Sequence, residues 1–401
     1  MALLTVDEAR ARILGSLPPL AVETVTIDEA LGRALAEELR VARTLPPWDN
    51  SAMDGYAVRS ADLASPPTTL KVSQKIFAGD RPTEPVLPAT CARIMTGAPM
   101  PPGADAVVMQ EKTRVVGDGF VELLEAVKAG ANVRRRGEDL REGERLFPAG
   151  RELSLADAGA LWGQGLERVP VRRRPKVAVI SSGDELCDVG RLEDGKIVDS
   201  NSPVIAAGVR RAGGVVTYTG RAADSLESMQ AHFARGLEAD VLITIAGASV
   251  GEKDFTREAL VALGVDIDFW KVAMKPGKPL AFGRRGSTFV FGLPGNPVSA
   301  MVTFELYVRP ALRVLQGLPA LPVSLPGRAA VDLPKQPGLR LFVRATTEVR
   351  DGAIWATPLA SQSSGALSSA SGATCLIDLP QDSGAVNKGS EISLFPLSWN
   401  F

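Results

Sequence analysis

The spacing of apolar positions changes several times along the chain, and each change marks a different kind of element. Near the N-terminus, "VDEARARILGSL" and "IDEALGRALAEEL" carry apolar residues three and four apart, which predicts two amphipathic helices within 6–40. From about 41 to 138, Pro and Gly are frequent and apolar runs are short, as in "TLKVSQKIFAGD" and "ADAVVMQEKTRVV". This predicts a β-rich unit. "LREGERLFPAGRELSLADAGALWGQGL" predicts a short β element followed by a helix. Over 171–320 continuous apolar strands ("KVAVI", "GVVTYTG", "DVLITIAG", "DIDFWKVAM") alternate with helical patterns ("SPVIAAGVRRAG", "SLESMQAHFARGLEA", "DFTREALVALG"). That alternation predicts an α/β domain with a mainly parallel sheet. "PLAFGRRGSTFVFG" predicts a hairpin and "PVSAMVTFELYVRPALRVLQG" a long helix. From about 323 short strands return, in a small C-terminal β domain.

A chain of 401 residues accommodates roughly two to four domains. The formal net charge of −1 argues against a nucleic-acid binder. No apolar run approaches the ~18 residues of a membrane span, and "MALLTVDEAR" turns acidic too soon for a signal peptide. The expectation is a soluble cytoplasmic protein. Cys91, Cys187 and Cys375 are far apart with no C-x-x-C spacing, so neither a disulfide framework nor a zinc site is expected. His232 is the only histidine and sits mid-helix, where a structural or surface role is expected. A Ser-His-Asp triad and a multi-histidine metal site are thereby disfavoured. Catalysis would rest on carboxylates, Lys, Arg, backbone N–H groups and a hard cation held through oxygen.

Ligands of open α/β sheets bind beyond the carboxyl ends of the strands. Three successive strands here end in acids: "KVAVI" in Asp184 and Glu185, "VVTYTG" in Asp224, and "VLITIA" in Asp254. Asp224 and Asp254 each precede a helical pattern and fit helix caps. Three acids on one edge also fit a Mg²⁺ ion bridging to phosphate, or hydrogen bonds to a polar ligand. The loop "GASVGEKD" is neither a Walker A nor a G-x-G-x-x-G sequence. Its Gly247 and Gly251 permit close backbone approach, and Ser249 offers a hydroxyl. Lys271, Lys275 and Lys278 follow, with Pro276 and Pro279 stiffening the chain around Lys278. "LPGNP" then opens a helix, a suitable place for an anion; an ordinary reading has Asn296 as cap and Pro297 at the first helical position. The loop "PPWDNSAMDGYAV" at 46–58 is dense in polar groups, which fits either a structural turn or a functional loop.

Taken in order, "DNSAMDGYAV", "RIMTGAP", "SSGDEL", "GASVGEKD", "KPGKPLAFG" and "LPGNPVSA" resemble the molybdopterin molybdenumtransferases, the MoeA-like family that includes the E domain of gephyrin. The resemblance runs from about 3 to 398. It implies an elongated four-part protomer and a homodimer, the four parts being a molybdopterin-binding α/β domain at 3–21 and 171–322, a connecting domain at 22–40 and 139–170, a β-rich domain at 41–138 and a C-terminal β domain at 323–401. The implied reaction converts adenylylated molybdopterin and molybdate, with Mg²⁺, into molybdenum cofactor and AMP. By motif, the implied functional positions are Asp54, Thr96, Asp139, Glu185, Asp224, Asp254, Lys271, Lys275, Pro294, Pro297, Arg344 and Ser364, with Glu185, Asp224 and Asp254 as the metal set. The Gly loop is expected to cradle the pterin or its phosphate chain. One departure stands out: the family usually has "GGVS" where this chain has Ala246-Gly247-Ala248-Ser249, and the Ala246 methyl narrows the backbone approach.

Two other readings compete. Adenylyl transfer to molybdopterin, the preceding step, would use a similar α/β domain but would not need the flanking β-rich parts. A scaffold of the gephyrin kind depends on a fused partner domain and long linker, which the sequence lacks. Molybdopterin adenylyltransferase and molybdoenzyme apoproteins are the expected protein partners.

Overall fold

The computed structural model describes residues 3–246, 255–320 and 324–397. In the α/β region the strands are β1 (Lys176–Ser182), β2 (Val215–Ala222), β3 (Val241–Ile245), β4 (Asp266–Lys271), β5 (Pro279–Arg285) and β6 (Thr288–Leu293). They form one sheet in the order β2-β1-β3-β6-β5-β4. β1 is parallel to β2 and β3, and β3 is parallel to β6. β5 is antiparallel to both its neighbours, because the expected hairpin at 279–293 supplies it. Every residue of β3 is buried, as its unbroken apolar run requires of a strand covered on both faces.

The helices that cover the sheet are α1 (Val6–Gly15), α2 (Asn201–Arg211), α3 (Leu226–Gly236), α4 (Thr256–Ala262) and α5 (Pro297–Thr303). Alternate residues of β1 face opposite ways. Val177 and Val179 join a core with Ile13 of α1, Val209 of α2 and Val298 of α5. Ala178 and Ile180 join one with Phe233 of α3 and Leu260 of α4. Each fully buried Val or Ile contributes about 1.5–3 kcal/mol, so this two-faced burial holds the strand ends in place.

Two expected helices differ in detail. In "IDEALGRALAEEL" only Ile27–Ala30 is helical. Gly32 takes a φ of 71°, and Ala34 and Leu35 then bridge to Glu152 and Val171, so tertiary pairing overrides helical periodicity. The long helix after "LPGNP" is continuous but contains a π-helical turn at Phe304–Val308, followed by a helix at Arg309–Leu315. Pro310 has no N–H, and its ring clashes with a normal turn; the wider turn accommodates it.

The C-terminal strands close into a barrel. Arg340–Arg350, Ala353–Pro358, Leu325–Ala329, Glu391–Pro396 and Cys375–Leu379 pair in that order, and the last pairs back to the first. Met274–Lys275 adds to the barrel beside Arg340 and Leu341, which ties the lysine-rich turn to it.

The chain divides into two compact units, Met1–Ala36 with Gly150–Ala158 and Arg168–Phe401, and Glu37–Ala149 with Gly159–Glu167. The α/β part and the barrel belong to the first. The second contains a six-stranded mixed sheet in which Gly55–Val58 lies between Thr90–Ile94 and Ala106–Met109. Among the described residues no helix is long and apolar enough to cross a membrane.

Candidate functional site

The carboxyl ends of β1, β3 and β6 surround a cavity of about 480 Å³. Ser181 and Ser182 line it from the end of β1 and Glu185 from the loop beyond, Ala246 from the residue after β3, and Pro294, Gly295, Asn296 and Pro297 from the turn after β6. This is the edge at which the strand-end acids are expected to meet a ligand.

The acids are held by the loop backbone. Gly183 has a φ of 146°, and a Cβ there would lie 2.6 Å from a Glu185 carboxylate oxygen. Glycine is therefore required for the Glu185 side chain to fold back over the chain. Asp184 and Asp224 hold each other: Asp184 N–H donates to Asp224 Oδ2 at 3.3 Å, and Asp224 N–H to Asp184 Oδ1 at 3.1 Å. The cap reading of Asp224 is corrected here. Ser225 has the extended backbone of an N-cap, and its Oγ accepts from Ser228 N–H. Asp224 is left to join two strand ends. Asp254, Gly247, Ser249 and Gly251 lie outside the described residues. Among the described residues no group of three or more His, Cys, Asp or Glu comes together as a metal cluster.

Three residues of this edge escaped the sequence reading. Asp199 accepts from Ser181 Oγ at 2.7 Å, Ser202 Oγ at 2.6 Å and Ser202 N–H at 3.0 Å. It thereby joins the end of β1 to the start of α2. Asn201 Nδ2 donates to Gly295 O at 2.7 Å. The available signal was the run Asp-Ser-Asn-Ser ahead of a helical pattern, four residues of the capping type in succession. The departure noted at Ala246 has a physical expression: its φ is 74°, a conformation that costs a non-glycine residue roughly 1–2 kcal/mol.

A second groove, of about 850 Å³, receives Lys275, Lys278 and Ser364. Pro279 and Ser299 line both spaces. Lys275 and Lys278 are exposed, whereas Lys271 pairs beside Pro279 in the sheet and lines neither space. Ser364 O accepts from Val298 N–H at 3.1 Å, so the barrel loop seats on the start of α5. Asn296 stands at the cap position of α5 without a side-chain cap bond, and Pro297 follows as the first helical residue.

Arg344 is fully buried beneath that barrel loop. Its Nη2 donates to Ser361 O, Ser363 O and Ser369 Oγ at 3.0–3.1 Å. Among the described residues, Nε and Nη1 have no hydrogen-bond partner. Burial holds its pKa below the ordinary arginine value, and all three acceptors are uncharged. A buried cation without a counter-charge is costly, and an anion would offset that cost.

In the second unit, Asp54 Oδ1 accepts from Thr96 N–H at 2.7 Å and Thr96 Oγ1 at 2.8 Å, so the resemblance pairs two residues that the structure also joins. Asp139 is exposed, with its N–H bonded to Leu45 O. The 46–58 loop is tethered by Asp49, which sequence reasoning did not single out. Asp49 accepts from Arg136 N–H at 2.7 Å and Arg135 Nη1 at 2.7 Å. These bonds, the Arg136 N–H first, hold Asp49 below the ordinary value of 3.8, and the Thr96 N–H does the same for Asp54. A lowered folded pKa gives stability that is complete above the unfolded value and is lost as pH falls through the folded one. Asp49→Asn is therefore expected to lower the melting temperature at pH 7, for a loss of about 1 kcal/mol or less at this exposed pair. The difference should begin to shrink below about pH 4 and close as pH falls through the lowered folded-state pKa. Melts of both proteins across pH 3–7 check this, and a gap that persists at low pH would assign it to packing.

The comparisons with known proteins match this arrangement along its length. Residues 4–165 match the family described as MoeA N-terminal region (domain I and II), 178–314 the "Probable molybdopterin binding domain", and 326–397 the MoeA C-terminal region (domain IV). The molybdopterin molybdenumtransferase of Haemophilus influenzae is 38% identical, with 99% of each chain covered. That of Bacillus subtilis is 34% identical over 97% of this chain and 93% of its own. The solved molybdopterin biosynthesis MoeA protein of Pyrococcus horikoshii OT3 superposes with a TM-score of 0.84 at 28% identity, covering 98% of this chain and 100% of that one. Matches in both flanking regions as well as the α/β domain disfavour the adenylyltransferase reading. The chain belongs to the molybdopterin molybdenumtransferase family.

Proposed function

We propose that this enzyme takes adenylylated molybdopterin and molybdate as substrates and releases AMP and molybdenum cofactor. The observation that carries this reading is the adjacency of two unlike spaces. A cavity lined by hydroxyls, an acid and a proline-stiffened turn shares Pro279 and Ser299 with a groove that holds Lys275, Lys278 and Ser364. The first suits a pterin with its phosphate chain. The second suits a tetrahedral dianion, for which Lys, Ser and Arg are fitting donors, and Arg344 supplies a buried positive charge behind its loop.

The donors at the acidic edge fit Mg²⁺, which takes oxygen ligands and is usually held by one or two carboxylates together with substrate phosphates. Glu185, Asp224 and Asp254 would hold it. When bound, the ion would neutralise phosphate charge. The chain's own residues position the reactants. The turn Pro294 to Pro297 limits how the ligand lies, and the lysines hold the oxyanion near it. The dithiolene that receives molybdenum belongs to the substrate, so no histidine or cysteine nucleophile is required.

The test is to incubate purified protein with adenylylated molybdopterin and molybdate, with and without Mg²⁺, and to measure AMP and cofactor. AMP release that needs both molybdate and Mg²⁺ is expected. Folded protein that binds the substrate yet releases no AMP with any divalent ion would overturn the reading. A cytoplasmic homodimer that receives substrate from the adenylyltransferase and passes product to apoenzymes belongs to the same proposal. Light scattering should then give twice the 42.3 kDa chain mass.

A further inference from the structure

The turn after β6 can shape a ligand only if it keeps one conformation. Proline fixes φ at Pro294 and Pro297, but Gly295 between them has no side chain to anchor it. Two neighbours hold it instead. A Cβ built on Gly295 would lie 3.2 Å from the Ala246 Cβ, so the end of β3 closes one side. On the other, Asn201 Nδ2 donates to Gly295 O at 2.7 Å, across 94 positions of sequence.

The Asn201 amide is not occupied in starting its own helix. Asp199 already accepts the Ser202 N–H, and Ser200, at the cap position, makes no side-chain cap bond. In a trans peptide the N–H points opposite to the C=O. Holding Gly295 O therefore also fixes the direction of Asn296 N–H, which has no protein acceptor among the described residues. Asn201, Gly295 and Asn296 all line the cavity.

We infer that Asn201 is a positioning residue, acting through the Gly295 peptide to set the shape of the substrate turn. The inference rests on the substrate reading above. Its decisive variant is Asn201→Asp, which keeps size and shape but replaces the donor with an oxygen facing Gly295 O. At the start of a helix Asp is as favourable as Asn. A role confined to the helix therefore predicts that Asn201→Asp behaves as wild type, whereas the positioning role predicts loss.

The experiment measures direct binding of adenylylated molybdopterin to wild type, Asn201→Asp and Asn201→Ala, together with melting temperature and AMP release. Both variants should bind about tenfold more weakly, Asn201→Asp at least as weakly as Asn201→Ala. Melting temperatures should stay within about 2 °C, and kcat at saturation within about threefold. Should Asn201→Ala melt early, Asn201→Asp decides. Wild-type binding by Asn201→Asp overturns the inference and leaves the substrate reading standing. Failure of the wild-type protein to bind this ligand overturns both.

Discussion

Glu185→Gln is expected to slow AMP release at saturating substrate by about 10²- to 10³-fold, the scale of losing one preorganised charged group in an active site. Its carboxylate is exposed, lines the cavity at the end of β1 and forms no ion pair among the described residues. The substitution keeps volume and hydrogen-bonding capacity while removing charge, and the melting temperature should move by no more than a few degrees because no buried contact is lost. If the charge serves to hold Mg²⁺, the Mg²⁺ concentration for half-maximal release should also rise. A Glu185→Gln protein with full rate and unchanged metal dependence would reduce Glu185 to a cover over Gly183.

Arg344→Met should raise the KM for molybdate about 10-fold, roughly 1.4 kcal/mol, through loss of a buried positive charge behind the groove rather than of a direct contact, since Arg344 does not line it. Stability should change little, for a reason specific to this site. The guanidinium is buried with two of its nitrogens unpartnered among the described residues, and replacing such a buried charge with an apolar chain is often neutral or stabilising. The carbonyls released at Ser361 and Ser363 belong to exposed residues, which water can satisfy. A thermal melt and a molybdate titration on the same sample separate the outcomes. A variant that unfolds early with an unchanged KM would make Arg344 a structural residue of the barrel loop.

The strand ends were legible from sequence because an unbroken apolar run followed by Gly and an acid has few other meanings in an α/β chain. "KVAVI" with Glu185 and "VLITIA" with Ala246 lie where that pattern puts them. Asp224 was less legible, since Asp and Ser both precede α3 and either can cap; the backbone conformation at Ser225 decides, and it is not written in side-chain type. "IDEALGRALAEEL" has a helical period, but its second half gains more from pairing beside Val171. The Asn201–Gly295 and Asp199–Ser181 bonds had no local signal as pairs, because register between loops is fixed only when the whole sheet assembles. Arg344 and Ser364 entered through resemblance alone; Ser364 lines the groove, and Arg344, on the strand Arg340–Arg350, is buried beneath the same barrel loop. Asp54 and Thr96 came from separate motifs and share a hydrogen bond.

The ion pair between Asp7 and Arg340 spans 333 positions, and this has a consequence for the order in which a growing chain acquires structure. α1 packs against the helix at Arg309–Leu315, and Leu4 bridges to Val272. Residues 4–15 therefore wait for their partners until residues 272–340 exist. The second unit waits far less, since all of it lies between Glu37 and Glu167. Domains generally fold as units during synthesis, earlier parts first, and contacts distant in sequence form slowly. On a ribosome the inserted β-rich unit should thus close while the α/β unit is still open, its N-terminal helix exposed. Nascent chains arrested near residue 200 and challenged with protease would retain a protected core drawn from 37–167, whereas protection of residues 6–15 would arrive only after about residue 340 has emerged.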